Sequence, residues 1–169
     1  MTDSFQNTEV FSFPEIESID FKKIEKNYFK VILINVLILF LTLFIGAFFV
    51  VYKDWLELGQ HYIWIFSALI LLLIFTVIFE ILGFKKRKYA VREKDISYKK
   101  GLLYKSLTTV PFNRIQHVEI DQGPISRFFG LATLSVFTAG DSSDDLKIKG
   151  LLKEQSLHIK EFITNKIDG

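Results

Sequence analysis

The sequence predicts an α+β membrane protein: a two-helix transmembrane hairpin followed by an antiparallel β-barrel that a C-terminal helix caps. Three observations carry this reading. Two long apolar blocks, Val31–Tyr52 and Tyr62–Gly83, hold a single charge between them, Glu80. Residues 88–149 break into short runs rich in β-branched and aromatic residues, punctuated by turn residues. After Gly150 the apolar period lengthens from strand to helix spacing. Composition agrees. Of 169 residues, 50% are hydrophobic and 24% charged, and the mean hydropathy is +0.29. Those values fit together only if the apolar residues are gathered into blocks. Eighteen Phe against three Pro and nine Gly exclude a disordered or collagen-like chain. The absence of Cys excludes a disulfide framework, thiolate metal sites and a Cys nucleophile.

Residues 1–30 form the first part. Their four Lys and six acids, with Ile16, Ile19, Tyr28 and Phe29 among them, predict a tail and then an interfacial helix from about Glu15 that runs into the first span. The transmembrane hairpin is residues 31–83, with spans at about 31–52 and 62–83. A helix of the first block's length covers about 33 Å, enough for a hydrocarbon core of about 30 Å. Too little of the chain remains to bury two such helices inside a soluble core. Before the first span stand Lys22, Lys23, Lys26 and Lys30; after the second stand Lys85, Lys86, Arg87, Lys88 and Arg92. The connecting loop offers one Lys against Asp54 and Glu57. Cationic flanks stay inside, so both termini and the following domain are expected on the cytoplasmic side of a membrane that the chain crosses twice. Tyr52, Trp55, Tyr62 and Trp64 gather at the outer end as an interfacial belt. Glu80 lies close enough to the following basic run to pair with it.

Residues 84–169 form the globular domain. Lys88–Arg92 alternates apolar and polar residues, and Glu93–Asp95 turns. Ile96–Lys99 resumes, then Lys100-Gly101 turns again. Leu103–Phe112 is a strand by residue type and stops near Pro111. Ile115–Asp121 follows, Gly123-Pro124 breaks it, and Leu131–Thr138 is another strand. Ala139–Asp145 reads as an acidic loop and Leu146–Lys149 as a short strand. Leu152, Ile159, Phe162, Ile163 and Ile167 then share one helical face, whose apolar stripe needs the open end of the sheet as partner.

The stretch Thr109–Gly140, TVPFNRIQHVEIDQGPISRFFGLATLSVFTAG, resembles the bacterial PH-like (YdbS-like) membrane protein family. The matching positions are Pro111, Arg114, Ile115 and Gln116; Gln122, Gly123 and Pro124; Arg127 and Phe129–Leu134; and Thr138–Gly140. Two spans directly before the domain also fit. The resemblance implies a PH-like barrel of about seven strands with a C-terminal helix, no established reaction, and company with longer relatives carrying several such domains. The residues themselves suggest roles. Pro111 and Pro124 cannot donate to a ladder and end pairing. Gly130 and Gly140 permit positive φ or close backbone approach. Arg114 and Arg127 are expected as hydrogen-bond hubs to a carbonyl or acid, with partner binding as the sharper reading.

Catalytic motifs are missing. No P-loop, nucleophile elbow or zinc-protease helix motif occurs. His61, His117 and His158 are dispersed, and the Asp141–Asp145 run lacks the pattern of a calcium loop. The reading is a protein that is not an enzyme, with no cofactor, no metal and no nucleic-acid partner. Lys85–Lys105 holds nine Lys/Arg against Glu93 and Asp95, a local charge of +7 beside the membrane. The function expected is therefore a membrane-anchored, non-catalytic binding and scaffolding module in an envelope-associated complex. Its partners would be membrane lipids and either further copies of itself or a related PH-like membrane protein. The alternative is sensing of anionic lipid headgroups through Lys85, Lys86, Arg87, Lys88 and Arg92. A minor alternative is a small transport component that depends on Glu80 or Asn35.

Overall fold

The computed structural model describes residues 20–53, 62–139 and 145–167. Helices α1 (Tyr28–Tyr52) and α2 (Tyr62–Phe84) match the two apolar blocks. None of the apolar window of α2 is buried within the chain, and only 11% of that of α1 is. Helices this apolar and this bare suit lipid, not a soluble core. Their Asn, Ser and Thr side chains bond the backbones of their own helices, as hydrocarbon requires. Asn35 donates to the Val31 carbonyl at 2.8 Å, Ser67 to Ile63 at 2.7 Å and Thr76 to Leu72 at 2.8 Å. Phe44 stacks on Phe66 between the helices at 6.0 Å, and Phe29 meets Phe84 at their base at 5.5 Å.

The domain holds seven strands among the described residues. They are β1 (Lys22–Lys23), β2 (Lys88–Val91), β3 (Asp95–Lys100), β4 (Ser106–Pro111), β5 (Ile115–Asp121), β6 (Leu131–Thr138) and β7 (Leu146–Leu152). A short helix α3 (Pro124–Phe128) lies between β5 and β6, and α4 (Lys153–Ile167) ends the fold. The barrel is not closed. The strands form two antiparallel sheets, β1-β2-β3-β4 and β5-β6-β7. A 3-10 turn at Phe112–Arg114 redirects the chain from one sheet to the other, so no ladder runs between β4 and β5. Glu25 N–H bonds the Gly150 carbonyl at 2.9 Å where the two sheets meet, and Phe112 N–H to the Lys94 carbonyl, also at 2.9 Å, extends the β3–β4 ladder by one step. The core lies between the sheets, where Ile96, Leu131, Leu134, Ile148, Leu151 and Ile163 are fully buried. Ile163 brings α4 into that core, and Phe162 sets its ring edge against Phe112 at 6.0 Å.

Three elements differ from the sequence reading. Asp20–Asn27 is strand and turn, not the continuation of an interfacial helix; residues before Asp20 lie outside the described residues. Lys22 and Lys23 pair with Tyr89 and Lys88, which places β1 on the edge of β2 and buries Ile24 and Tyr28. The transmembrane hairpin is thus inserted between two strands that pair with each other. Strand β4 begins at Ser106, because Leu102–Tyr104 turns outward as a loop. Strand β7 continues through Gly150 to Leu152. Thr133 pairs with Lys149 and Ala132 with Leu151, so Gly150 is the extra residue of a bulge, at φ +84°. Glycine is required there by both conformation and space, since a Cβ would overlap the Tyr28 ring.

Candidate functional site: a basic cleft at the base of α2

Helix α2 ends at Phe84, and the chain turns through Lys85–Arg87 with bonds from Lys86 N–H to Gly83 and from Arg87 N–H to Phe84, both 3.1 Å. Strand β2 then begins. The turn spreads the basic run over three grooves, with Arg87 bordering two of them. Lys85 faces a groove of about 500 Å³ with Lys23, Lys26 and Phe84. Lys86 and Lys88 face a groove of about 250 Å³ with Phe21, Lys99, Lys100 and Lys105. Arg87 turns into a third cleft, of about 600 Å³. Its guanidinium bonds Glu80 at 3.0 Å, the pairing the sequence suggests for that acid.

This cleft lies between the C-terminal turn of α2 and the mouth of the domain. Phe79, Glu80 and Gly83 form its membrane side. Tyr98, Lys100 and Ser106 line it from β3 and β4, and Lys147 and Lys149 from β7. Four cations thus meet from three separate segments, and the one acid is already engaged by Arg87. Tyr98 is buried at this end of the core. Burial pushes its phenol above the ordinary value of 10.0; Arg87 acts against the shift and Tyr28 adds to it. The phenol therefore presents a neutral donor to whatever enters. Cations and hydroxyls without a free carboxylate suit a phosphate or another anion.

Arg92 does not join this surface. It lies past the far end of β2 in a bidentate pair with Asp95, at 2.7 and 2.6 Å. The family-motif residues form no cluster. Pro111 ends β4 and precedes the 3-10 turn, and Pro124 occupies the first turn of α3 behind Gly123. Gln122 donates to the Leu131 carbonyl at 2.8 Å, tying the two strands that flank α3. Gly130 has φ +66°. Gln116, Arg114 and Arg127 are exposed, and among the described residues neither arginine side chain makes a hydrogen bond or ion pair. Gly140 and its acidic loop through residue 144 lie outside the described residues. His117 points outward, stacked on Phe137 at 4.4 Å with Glu119 at 3.6 Å. Asn35 is satisfied inside its own helix, and Glu80, at the edge of the cleft, is engaged by Arg87.

Sequence reasoning missed Lys100, Lys147 and Lys149. The alternation LKIK does put Lys147 and Lys149 on one outward face. Only the topology shows that this face adjoins α2.

The decisive comparison concerns residues 28–167, which match the family described as Bacterial PH domain. The chain belongs to the bacterial PH domain family. Its 4+3 strand arrangement with a C-terminal helix is how this PH-like domain is built. Among relatives, the chain is 36% identical over 52 residues to UPF0699 transmembrane protein YdbS of Bacillus subtilis (strain 168), covering 31% of this chain and 33% of that protein. It is 26% identical over 96 residues to UPF0699 transmembrane protein YdbT of the same organism, covering 57% of this chain and 19% of that protein. The matched segments therefore span a third or less of those relatives' lengths. Among solved structures, a DUF1696 family protein with a pleckstrin-homology domain from Shewanella loihica PV-4 aligns at a TM-score of 0.37 with 23% identity, over 48% of this chain and 70% of that one. The bacterial PH domain here is carried by a protein with two helices long and apolar enough to cross a membrane, and the named relatives are transmembrane proteins too.

Proposed function

We propose that this bacterial PH domain protein is a non-catalytic binding module of the cytoplasmic membrane, crossing it twice with both termini and the domain inside, and that its large cleft holds an anionic lipid headgroup. One observation carries the reading: Arg87, Lys100, Lys147 and Lys149 converge at the cytoplasmic turn of α2, where headgroups lie. Each such cation is worth about 1 kcal/mol toward an anionic leaflet, less with distance and salt. The basic flanks of both helices support the orientation. Native mass spectrometry of the full chain, exchanged from phosphatidylcholine into phosphatidylglycerol, tests it. Replacing Lys100, Lys147 and Lys149 by Gln should weaken retention of phosphatidylglycerol on the order of 100-fold, the equivalent of about 3 kcal/mol. Arg92→Gln should leave retention unchanged. Equal retention in the triple variant would remove the cleft as the headgroup site.

Scaffolding is the second reading, with the protein docking another copy or a related PH-like membrane protein in an envelope-associated complex. What favours it is the similarity to both a short and a much longer transmembrane protein of one organism. Purification in mild detergent should then yield an oligomer or a co-purifying membrane protein. A strictly monomeric, partner-free protein counts against it.

A further inference from the structure

Outside α1 and α2, three large apolar side chains stand apart by exposure. Leu103 and Tyr104, in the loop between β3 and β4, are 84% and 85% exposed, and Phe128 at the end of α3 is 86% exposed. The other exposed large apolar residues of the domain, such as Leu107, Leu152 and Phe162, lie between 38% and 47%. A fully solvated Leu, Tyr and Phe cost solubility without contributing to the core.

Their positions flank the membrane hairpin. Leu102 and Tyr104 share a cleft wall with Phe79, Glu80 and Gly83 of α2. Phe79 lies about 7 Å along the helix axis from Phe84, in the direction of the membrane. The loop therefore reaches up the side of α2. On the other flank, Phe128 meets Phe129 edge-on at 5.3 Å, and Phe129 lies 6.0 Å from the Lys30 ammonium of α1. Helix α3 thus lies against the base of α1, as the loop lies beside the end of α2.

The surrounding charge is mainly basic, with Glu80 of the cleft wall already paired to Arg87. Lys99, Lys100 and Lys105 bracket the loop, and Arg127 precedes Phe128; no acid occurs between Asp95 and Glu119. Apolar and aromatic tips ringed by cations fit the headgroup boundary of a bilayer. Nor can the domain stand away from the membrane on a tether. Only Lys85–Arg87 separates α2 from β2, that turn is bonded back to α2, and the Arg87–Glu80 bridge spans it. The first turns of α1 are buried in the domain through Tyr28, Val31 and Ile32.

We infer that Leu103, Tyr104 and Phe128 insert into the bilayer the helices cross, seating the domain flush on the membrane on both sides of the hairpin. The chain has no Cys, so single cysteines report cleanly. Leu103→Cys, Phe128→Cys and, as a reference at the β2–β3 turn, Glu93→Cys in the full chain would carry an environment-sensitive fluorophore. The vesicles would be phosphatidylcholine, so that loss of headgroup selectivity leaves this result untouched. Labels at 103 and 128 should be quenched by lipids doxyl-labelled near the headgroup and be severalfold less sensitive to aqueous iodide than the label at 93. In a Leu103→Asp variant a label at Tyr104→Cys should return to iodide. Iodide access at 103 and 128 equal to that at 93 overturns the inference. Shielding from iodide without doxyl quenching also overturns it, and shows a second copy covering the tips.

Discussion

Three glycines of the domain make a graded test of how the membrane helix is seated. Gly123 has an ordinary φ of −67°, and a Cβ there would meet nothing within 4 Å. Gly130 has φ +66° and equally open space. Gly150 has φ +84°, and a Cβ there would collide with Tyr28, its Cδ1 being 2.6 Å away. Ala at 123 should therefore change stability by no more than about 0.5 kcal/mol. Ala at 130 carries only the left-handed backbone penalty, about 1–2 kcal/mol. Ala at 150 carries that penalty and an overpacking cost of about 1–3 kcal/mol, roughly 3 kcal/mol together. Hydrogen exchange of the β6 amides around Leu134 reports the opening of the domain core, in detergent and without an active-site assay. Exchange should accelerate less than about threefold for Gly123→Ala, on the order of tenfold for Gly130→Ala, and on the order of 100-fold for Gly150→Ala. Equal effects at 130 and 150 would show that Tyr28 does not rest on Gly150. The base of α1 would then lie outside the domain core, and the flush seating would lose its support.

Two other outcomes follow from the core. Burial raises the Tyr98 phenol above 10.0, so below that pH the folded state loses nothing. As pH climbs past it the unfolded chain ionises first, binds fewer protons and is favoured, so stability falls. Thermal melts by circular dichroism from pH 8 to 11 should show this alkaline loss reduced in Tyr98→Phe; parallel losses in both proteins would contradict it. Ile163 is fully buried where α4 meets the sheets. Ile163→Ala should destabilise the domain by about 2–5 kcal/mol, and a cost under about 1 kcal/mol, read as the same melting shift, would mean that α4 is not part of the core.

Much of the fold was legible because its signals are local. The uncharged apolar runs mark α1 and α2, and β5 and β6 begin and end where their alternation and β-branched residues say. The misses are non-local. Lys22–Lys23 carries no strand signal; the free edge of β2 makes it a strand. Gly150 looks like a terminator, yet β6 continues to pair beyond it and the glycine becomes a bulge. The family resemblance implies a barrel, and the Phe112–Arg114 turn leaves its strands in two sheets. The site was half legible. Arg87 was found by its nearness to the membrane in sequence. Arg92 was counted by the same reasoning, and β2 carried it away into the Asp95 pair. Lys147 and Lys149 lie some sixty residues downstream of Arg87, and only the folded topology returns them to α2. Arg114 and Arg127 were expected as hubs because arginines beside turns often bond carbonyls; here they face outward.

The insertion of the hairpin between β1 and β2 gives these pieces one logic. Paired antiparallel strands hold their residues about 5 Å apart, and packed helices hold their axes about 8–10 Å apart. A helix pair can therefore take the place of a β-turn with little strain, and the 5.5 Å contact of Phe29 with Phe84 marks where the two geometries meet. Both ends of the hairpin are then fixed by sheet register, one through Lys22–Tyr89 pairing and the other through the three-residue turn into β2. A domain on a flexible tether must order itself each time it meets a headgroup, and that ordering weakens binding. In this chain the orientation is fixed when the domain folds. The cleft cations are held together beside α2, so on the proposed headgroup reading no further ordering precedes contact with an anion.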